Sequence, residues 1–141
     1  MTADLSHSPA AIQPFGSNGI RTRALALATL LLGVGTLHFV APKPFDTLIP
    51  PQLPGKPRTY TQVSGVAELT AGALLVVPRT RGLGARLALL IFLAVFPGNL
   101  QMAADWLRSG RPLPLKIVAL LRLPLQLPLI TTAREIYRAE R

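Results

Sequence analysis

The chain of 141 residues contains no cysteine. Disulfides, thiolate metal sites, Cys-x-x-Cys redox chemistry and thioether attachment of haem are therefore excluded, and any redox role would rest on a borrowed cofactor. Charge is scarce as well, since 15% of the residues are Asp, Glu, Lys or Arg where soluble domains carry about 25%. Acidic residues are the scarcest part, 6 Asp and Glu against 15 Lys and Arg. The resulting net charge of +9 and pI near 11.5 would ordinarily raise nucleic-acid binding. The cations form no contiguous tract and no stripe interleaved with aromatics, which are 6% of the chain, so nucleic acid is not an expected partner. At this length a single domain is expected.

Hydrophobic residues are abundant, at 50% with a mean hydropathy of +0.41. Residues 24–41 are almost wholly apolar, opened by Arg21 and Arg23 and interrupted only by Thr29, Thr36 and His38. Eighteen helical residues span about 27 Å, close to the hydrocarbon thickness of a bilayer. A basic start followed by an apolar run also describes a signal peptide, but further spans follow here. The second is expected over residues 61–77, the third over 83–104 with the unbroken apolar run 87–96 at its centre, and the fourth over 115–133.

Residues 1–20 mix Ser, Pro, Asn and Gly without periodicity and read as a flexible tail, and residues 134–141 read as a charged one. Between the first two spans stand Pro42, Pro44, Pro50, Pro51, Pro54 and Pro57. Fixed φ and missing N–H groups there predict an extended loop. The expected fold is all-α, an integral-membrane four-helix up-down bundle occupying residues 21–133, with both termini on one side. Eight cations flank the spans on the terminal side (Arg21, Arg23, Arg79, Arg81, Arg86, Arg134, Arg138 and Arg141). Six flank the loop side (Lys43, Lys56, Arg58, Arg108, Arg111 and Lys116). The positive-inside rule then places the termini in the cytoplasm.

Up-down topology brings the end of an odd span and the start of an even one to the same side. His38, Glu68, Asn99, Arg122 and Gln126 are therefore expected at one depth. A Glu or Arg at a span centre costs about 2.5–3.5 kcal/mol on insertion scales, so such groups should face inward and pair. Ser64, Glu68 and Gly72 recur every four residues, which puts the carboxylate on one face between small neighbours. Arg122 and Gln126 also lie four apart, and Pro124 and Pro128 free carbonyls beside them. A ligand-binding or structural polar layer of His38, Ser64, Glu68, Asn99, Arg122 and Gln126 is thus predicted.

Familiar catalytic arrangements are absent from the sequence. His7 lies in the tail, so one histidine within the spans cannot give bis-histidine haem ligation, and His38 with Glu68 lacks a third and fourth metal ligand. No phosphate loop, dinucleotide fingerprint, His-Glu-x-x-His helix or nucleophile elbow occurs. No metal site and no catalytic set is assigned.

The stretches Leu37-His38-Phe39, Ile49-Pro50-Pro51-Gln52-Leu53-Pro54, Val63-Ser64-Gly65-Val66-Ala67-Glu68-Leu69, Val95-Phe96-Pro97-Gly98-Asn99 and Arg122-Leu123-Pro124-Leu125-Gln126 together resemble the DoxX-like family of small bacterial four-helix membrane proteins. The resemblance covers residues 24–133. It implies a multi-pass protein of the bacterial inner membrane, in a family mostly without assigned activity. Some relatives are named for subunits of thiosulfate:quinone oxidoreductases or linked to oxidative-stress handling. The expected role is an accessory, non-catalytic subunit of a membrane redox complex. It would have no intrinsic cofactor, its polar layer would hold a small amphipathic molecule such as quinone, and its partners would be the bilayer, an oxidoreductase and further copies of itself. A second reading is an assembly partner that anchors a peripheral enzyme through Phe45, Leu48, Ile49 and Leu53 of the loop. A third is a small-solute transporter.

Overall fold

A computed structural model describes residues 16–141. The described residues are helical, without strands: α1 (Ser17–Val40), α2 (Pro42–Asp46), α3 (Pro57–Val76), a 3-10 turn at Pro78–Thr80, α4 (Arg81–Arg108) and α5 (Leu113–Ala139). The expected tail over residues 1–20 lies outside the described residues as far as residue 15. From Ser17 the chain is already helical, and Ile20 is buried. The expected charged tail after residue 133 is likewise helix as far as Ala139, because Ala133 and Ile136 are buried and hold the last turns against the core.

Proline placement explains where helices begin. Pro stands at the first or second position of α2, α3, the 3-10 turn and α5. The first N–H groups of a helix have no partner within it, so proline sacrifices nothing there and its fixed φ favours the first turn. That corrects the extended loop expected between α1 and α3: its first prolines initiate α2, and only residues 47–56 form turns. Gly55, at φ +90°, supplies the left-handed residue just before α3.

Three stretches are long and apolar enough to cross a membrane: Ser17–Val40, Pro78–Arg108 and Leu113–Ala139. α3 is not among them, since Gln62, Ser64 and Glu68 lower its hydropathy. The four long helices pack in chain order, α1 on α3, α3 on α4, α4 on α5, and α5 back on α1. Their main core holds Leu27 and Leu31 of α1, Leu75 of α3, Phe92 of α4 and Ile136 of α5, interleaved with alanines. A smaller cluster, Met102, Ala103, Trp106 and Ala119, lies at the other end beneath Leu48. Much apolar surface remains outside. Only 11% of the apolar stretch of α5 is buried, so leucines such as Leu121, Leu125 and Leu127 point away from the core.

Small residues set the helix spacing. A Cβ on Gly84 would lie 2.7 Å from the Leu75 backbone nitrogen, and one on Gly65 would lie 2.9 Å from Cβ of His38. Ion pairs join helix ends: Arg23 of α1 to Glu135 of α5, and Arg81 of α4 to Glu140 at the end of α5. The start of α1, the start of α4 and the end of α5 therefore share one side. At the other side Asp46 closes α2 onto α3, accepting hydrogen bonds from Arg58 Nε at 2.9 Å and the buried Thr61 hydroxyl at 2.7 Å.

Two outcomes follow from this packing. Gly84→Ala drives a methyl group into α3 backbone and is expected to destabilise by about 1–3 kcal/mol. Gly33→Ala, where nothing lies within 4 Å, should instead be neutral to about 1 kcal/mol stabilising through helix propensity. Thermal unfolding followed by circular dichroism distinguishes them, and equal midpoints would contradict the packing described. Hydrogen bonds from Arg58 and Thr61 hold the Asp46 carboxyl below its usual 3.8. A depressed carboxylate pKa contributes stability that is complete above the unfolded value and is lost as pH falls through the folded one. Trp106, the sole tryptophan, lies beneath Leu48, so its fluorescence should change below pH 3.8. Asp46→Asn should remove that acid transition.

Candidate functional site

The last turns of α1 place His38 inward, because Gly65 of α3 lets the two helices meet at its Cβ. Its Nδ1 lies 2.8 Å from the Val34 carbonyl. A carbonyl only accepts, so Nδ1 carries the hydrogen and donates it one turn back along the helix. The imidazole stacks on Phe45 of α2, with centroids 4.0 Å apart and 26° between planes.

Glu68 faces this ring from α3. Its Oε2 lies 3.4 Å from His38 Nδ1, and the two side chains are only 8% and 13% exposed. The distance is that of an ion pair, but the Nδ1 hydrogen is directed to Val34, and Glu68 Oε2 is left buried with no hydrogen-bond partner. An unsatisfied buried acceptor costs about 1–3 kcal/mol. Ser64, one turn before Glu68, takes part in no side-chain hydrogen bond with either polar pair.

A second polar pair joins α4 to α5. Buried Asn99 donates from Nδ2 to Oε1 of buried Gln126 at 3.0 Å, and Gln126 Nε2 donates to the Phe92 carbonyl at 2.6 Å. Pro97 stands five residues on: it has no N–H for the Leu93 carbonyl, next to that of Phe92, and crowds it, which loosens the stretch of α4 that Gln126 reaches. Arg122 stands one turn before Gln126, half-buried. It interacts with Glu68 electrostatically, but no ion pair within 4.0 Å joins them.

The single layer expected from the sequence is thus divided. The structure joins His38 to Glu68 and Asn99 to Gln126, leaves Ser64 outside both pairs, and sets Arg122 within electrostatic range of Glu68 without contact. Depth alone does not decide whether Glu68 meets Arg122; the structure sets His38 beside Glu68, because α1 and α3 are direct neighbours whereas α3 and α5 lie across the ring of helices. Sequence reasoning reads Phe45 as an apolar anchor of the loop and missed its stacking on His38, which depends on α2. It also missed the Phe92 carbonyl, since Pro97 points to the neighbouring Leu93 carbonyl instead.

A family model described as "Domain of unknown function (DUF8561)" matches residues 27–137. The chain belongs to this family. The matched region of the DUF8561 domain contains every residue of both polar pairs. No curated protein and no solved structure matches the chain.

Gln126 is the more connected member of its pair. Gln126→Leu in the DUF8561 domain leaves both Asn99 Nδ2 and the Phe92 carbonyl without their partner, and should destabilise by about 1–3 kcal/mol for each group left buried. Asn99→Leu leaves the bond to Phe92 in place and should cost less. Chemical unfolding of the two variants checks the order, and a reversed order would show that Gln126 is not the hub.

Proposed function

We propose that this protein is a membrane-embedded four-helix bundle of the DoxX-like type, resident in the bacterial inner membrane with cytoplasmic termini, whose interior binds a small amphipathic molecule of the quinone class. The outward-facing leucines of α5 support embedding, since a soluble monomer rarely exposes apolar patches of this extent. α3, the least apolar long helix, would cross with Glu68 turned toward His38 of α1. The basic residues on the terminal side favour the stated orientation.

One observation carries the ligand reading: Glu68 Oε2 is buried without a hydrogen-bond donor, beside a histidine whose own donor is already committed. A ligand hydroxyl, such as that of a quinol, would satisfy this oxygen. Arg122, near enough to interact with Glu68 and in no ion pair of its own among the described residues, would donate to a second ligand oxygen. A few polar groups set among apolar side chains are the recognition elements that small-molecule sites use. In this reading the protein is an accessory subunit that positions a redox carrier for a membrane oxidoreductase partner, and catalysis belongs to that partner.

The assembly reading draws less support. Phe45 is stacked on His38 and Leu48 packs under the loop, which leaves Leu53 as the exposed apolar anchor.

Titration of the purified protein with ubiquinol and menaquinol analogues of differing chain length should give saturable binding. Glu68→Gln or Arg122→Leu should weaken it roughly tenfold, the equivalent of one lost hydrogen bond to a charged group. Absence of binding at every chain length would overturn the proposal.

A further inference from the structure

A cavity of about 290 Å³ opens at the terminal side, between the 3-10 turn, the first turns of α4 and the last turn of α5. Arg79 and Arg86 line it together with Gly82, Leu83, Tyr137 and Glu140. The one acidic lining group is already engaged, because Glu140 accepts from Arg81 Nη1 at 3.3 Å. Arg79 and Arg86 form no ion pair among the described residues. The cavity therefore presents two uncompensated guanidiniums, groups whose fork of N–H donors suits phosphate oxygens.

What adjoins those cations is apolar. Leu83 is 59% exposed at the cavity and Leu90 is 54% exposed, seven residues along and so on the same face of α4, with the partly exposed Leu87 between them. An anionic head held by the two arginines would continue into an apolar track running away from the helix ends. We infer that this corner binds an anionic phospholipid, its phosphate between Arg79 and Arg86 and one acyl chain along Leu83, Leu87 and Leu90. The inference rests on the membrane reading above and is independent of the interior ligand. A free phosphate would use the arginines but not the leucine track, so the apolar continuation selects the lipid. Basic pockets between helix ends are a recurrent mode of headgroup recognition.

The test uses the full chain, extracted in mild detergent, incubated with vesicles of mixed phosphatidylglycerol and phosphatidylcholine, and examined by native mass spectrometry. Phosphatidylglycerol should be retained in preference to phosphatidylcholine. Arg79→Gln should lower its retention roughly fivefold, and Arg79→Gln with Arg86→Gln roughly thirtyfold, as expected for about one surface cation's attraction each. Arg108→Gln with Arg111→Gln, at the opposite side, should leave retention unchanged. Inorganic phosphate should not displace the lipid. No preference in the wild-type chain would overturn the site whatever the variants do. Equal loss in the Arg108 and Arg111 variant would reduce it to general charge attraction, and displacement by inorganic phosphate would make it a free-phosphate site; either result rejects the proposal. A chain washed from membranes by alkaline carbonate would overturn the membrane reading and this site with it, whereas a carbonate-resistant chain without lipid preference would overturn the site alone.

Discussion

The close approach of α1 to α3 at Gly65 is the constraint on which the polar interior depends. Without a side chain at that position, the α3 backbone comes near enough for the His38 Cβ to occupy the space, and the imidazole is carried over to Glu68. Gly72 plays the same part toward Leu32, and Gly35 toward Leu69, so the two helices stay in contact over several turns. A larger residue at Gly65 would move His38 away from the carboxylate and from Phe45 at once. The geometry of a titratable pair is set here by a residue that has no chemistry of its own.

Around this contact, polar groups are matched by whatever acceptor the helices leave open. His38 reaches the Val34 carbonyl one turn back, while Gln126 reaches across to the Phe92 carbonyl, beside the turn that Pro97 disturbs. Helix interiors offer few such openings, because their carbonyls are already bonded. Glu68 has the opposite need, a donor: the helix N–H groups around it are already bonded, and its Oε2 remains the one buried side-chain polar atom without a partner among the described residues.

Much of this was legible in the sequence. Long apolar runs flanked by arginines located α1, α4 and α5, and the alternation of helix direction correctly suggested that polar residues distant in sequence could meet. Helix ends were less legible, since apolar runs mark the buried middle of a helix, whereas Ile20 and Ile136 extend the core beyond it through short periodic stretches. Proline was misread between residues 42 and 57, where its effect depends on whether it falls inside a helix or at its first turn. The pairing of Glu68 was not legible at all: depth along a helix can be counted from sequence, but which helices are neighbours is decided by contacts such as those at Gly65 and Gly84.

The two polar pairs have a consequence for how the chain is made. His38 and Glu68 lie on helices consecutive but for the short α2, and Asn99 and Gln126 lie on the consecutive pair α4 and α5. The second hairpin therefore satisfies its buried amides from within its own stretch of chain, and the first brings His38 beside Glu68 from within its own, leaving only Glu68 Oε2 without a donor. During synthesis the first hairpin can close before the second has emerged, and neither has to carry unmatched amides while waiting for the other. Assembly then requires only that two largely self-sufficient halves meet across α3 and α4, with the ion pairs from Arg23 and Arg81 fastening the last helix into place.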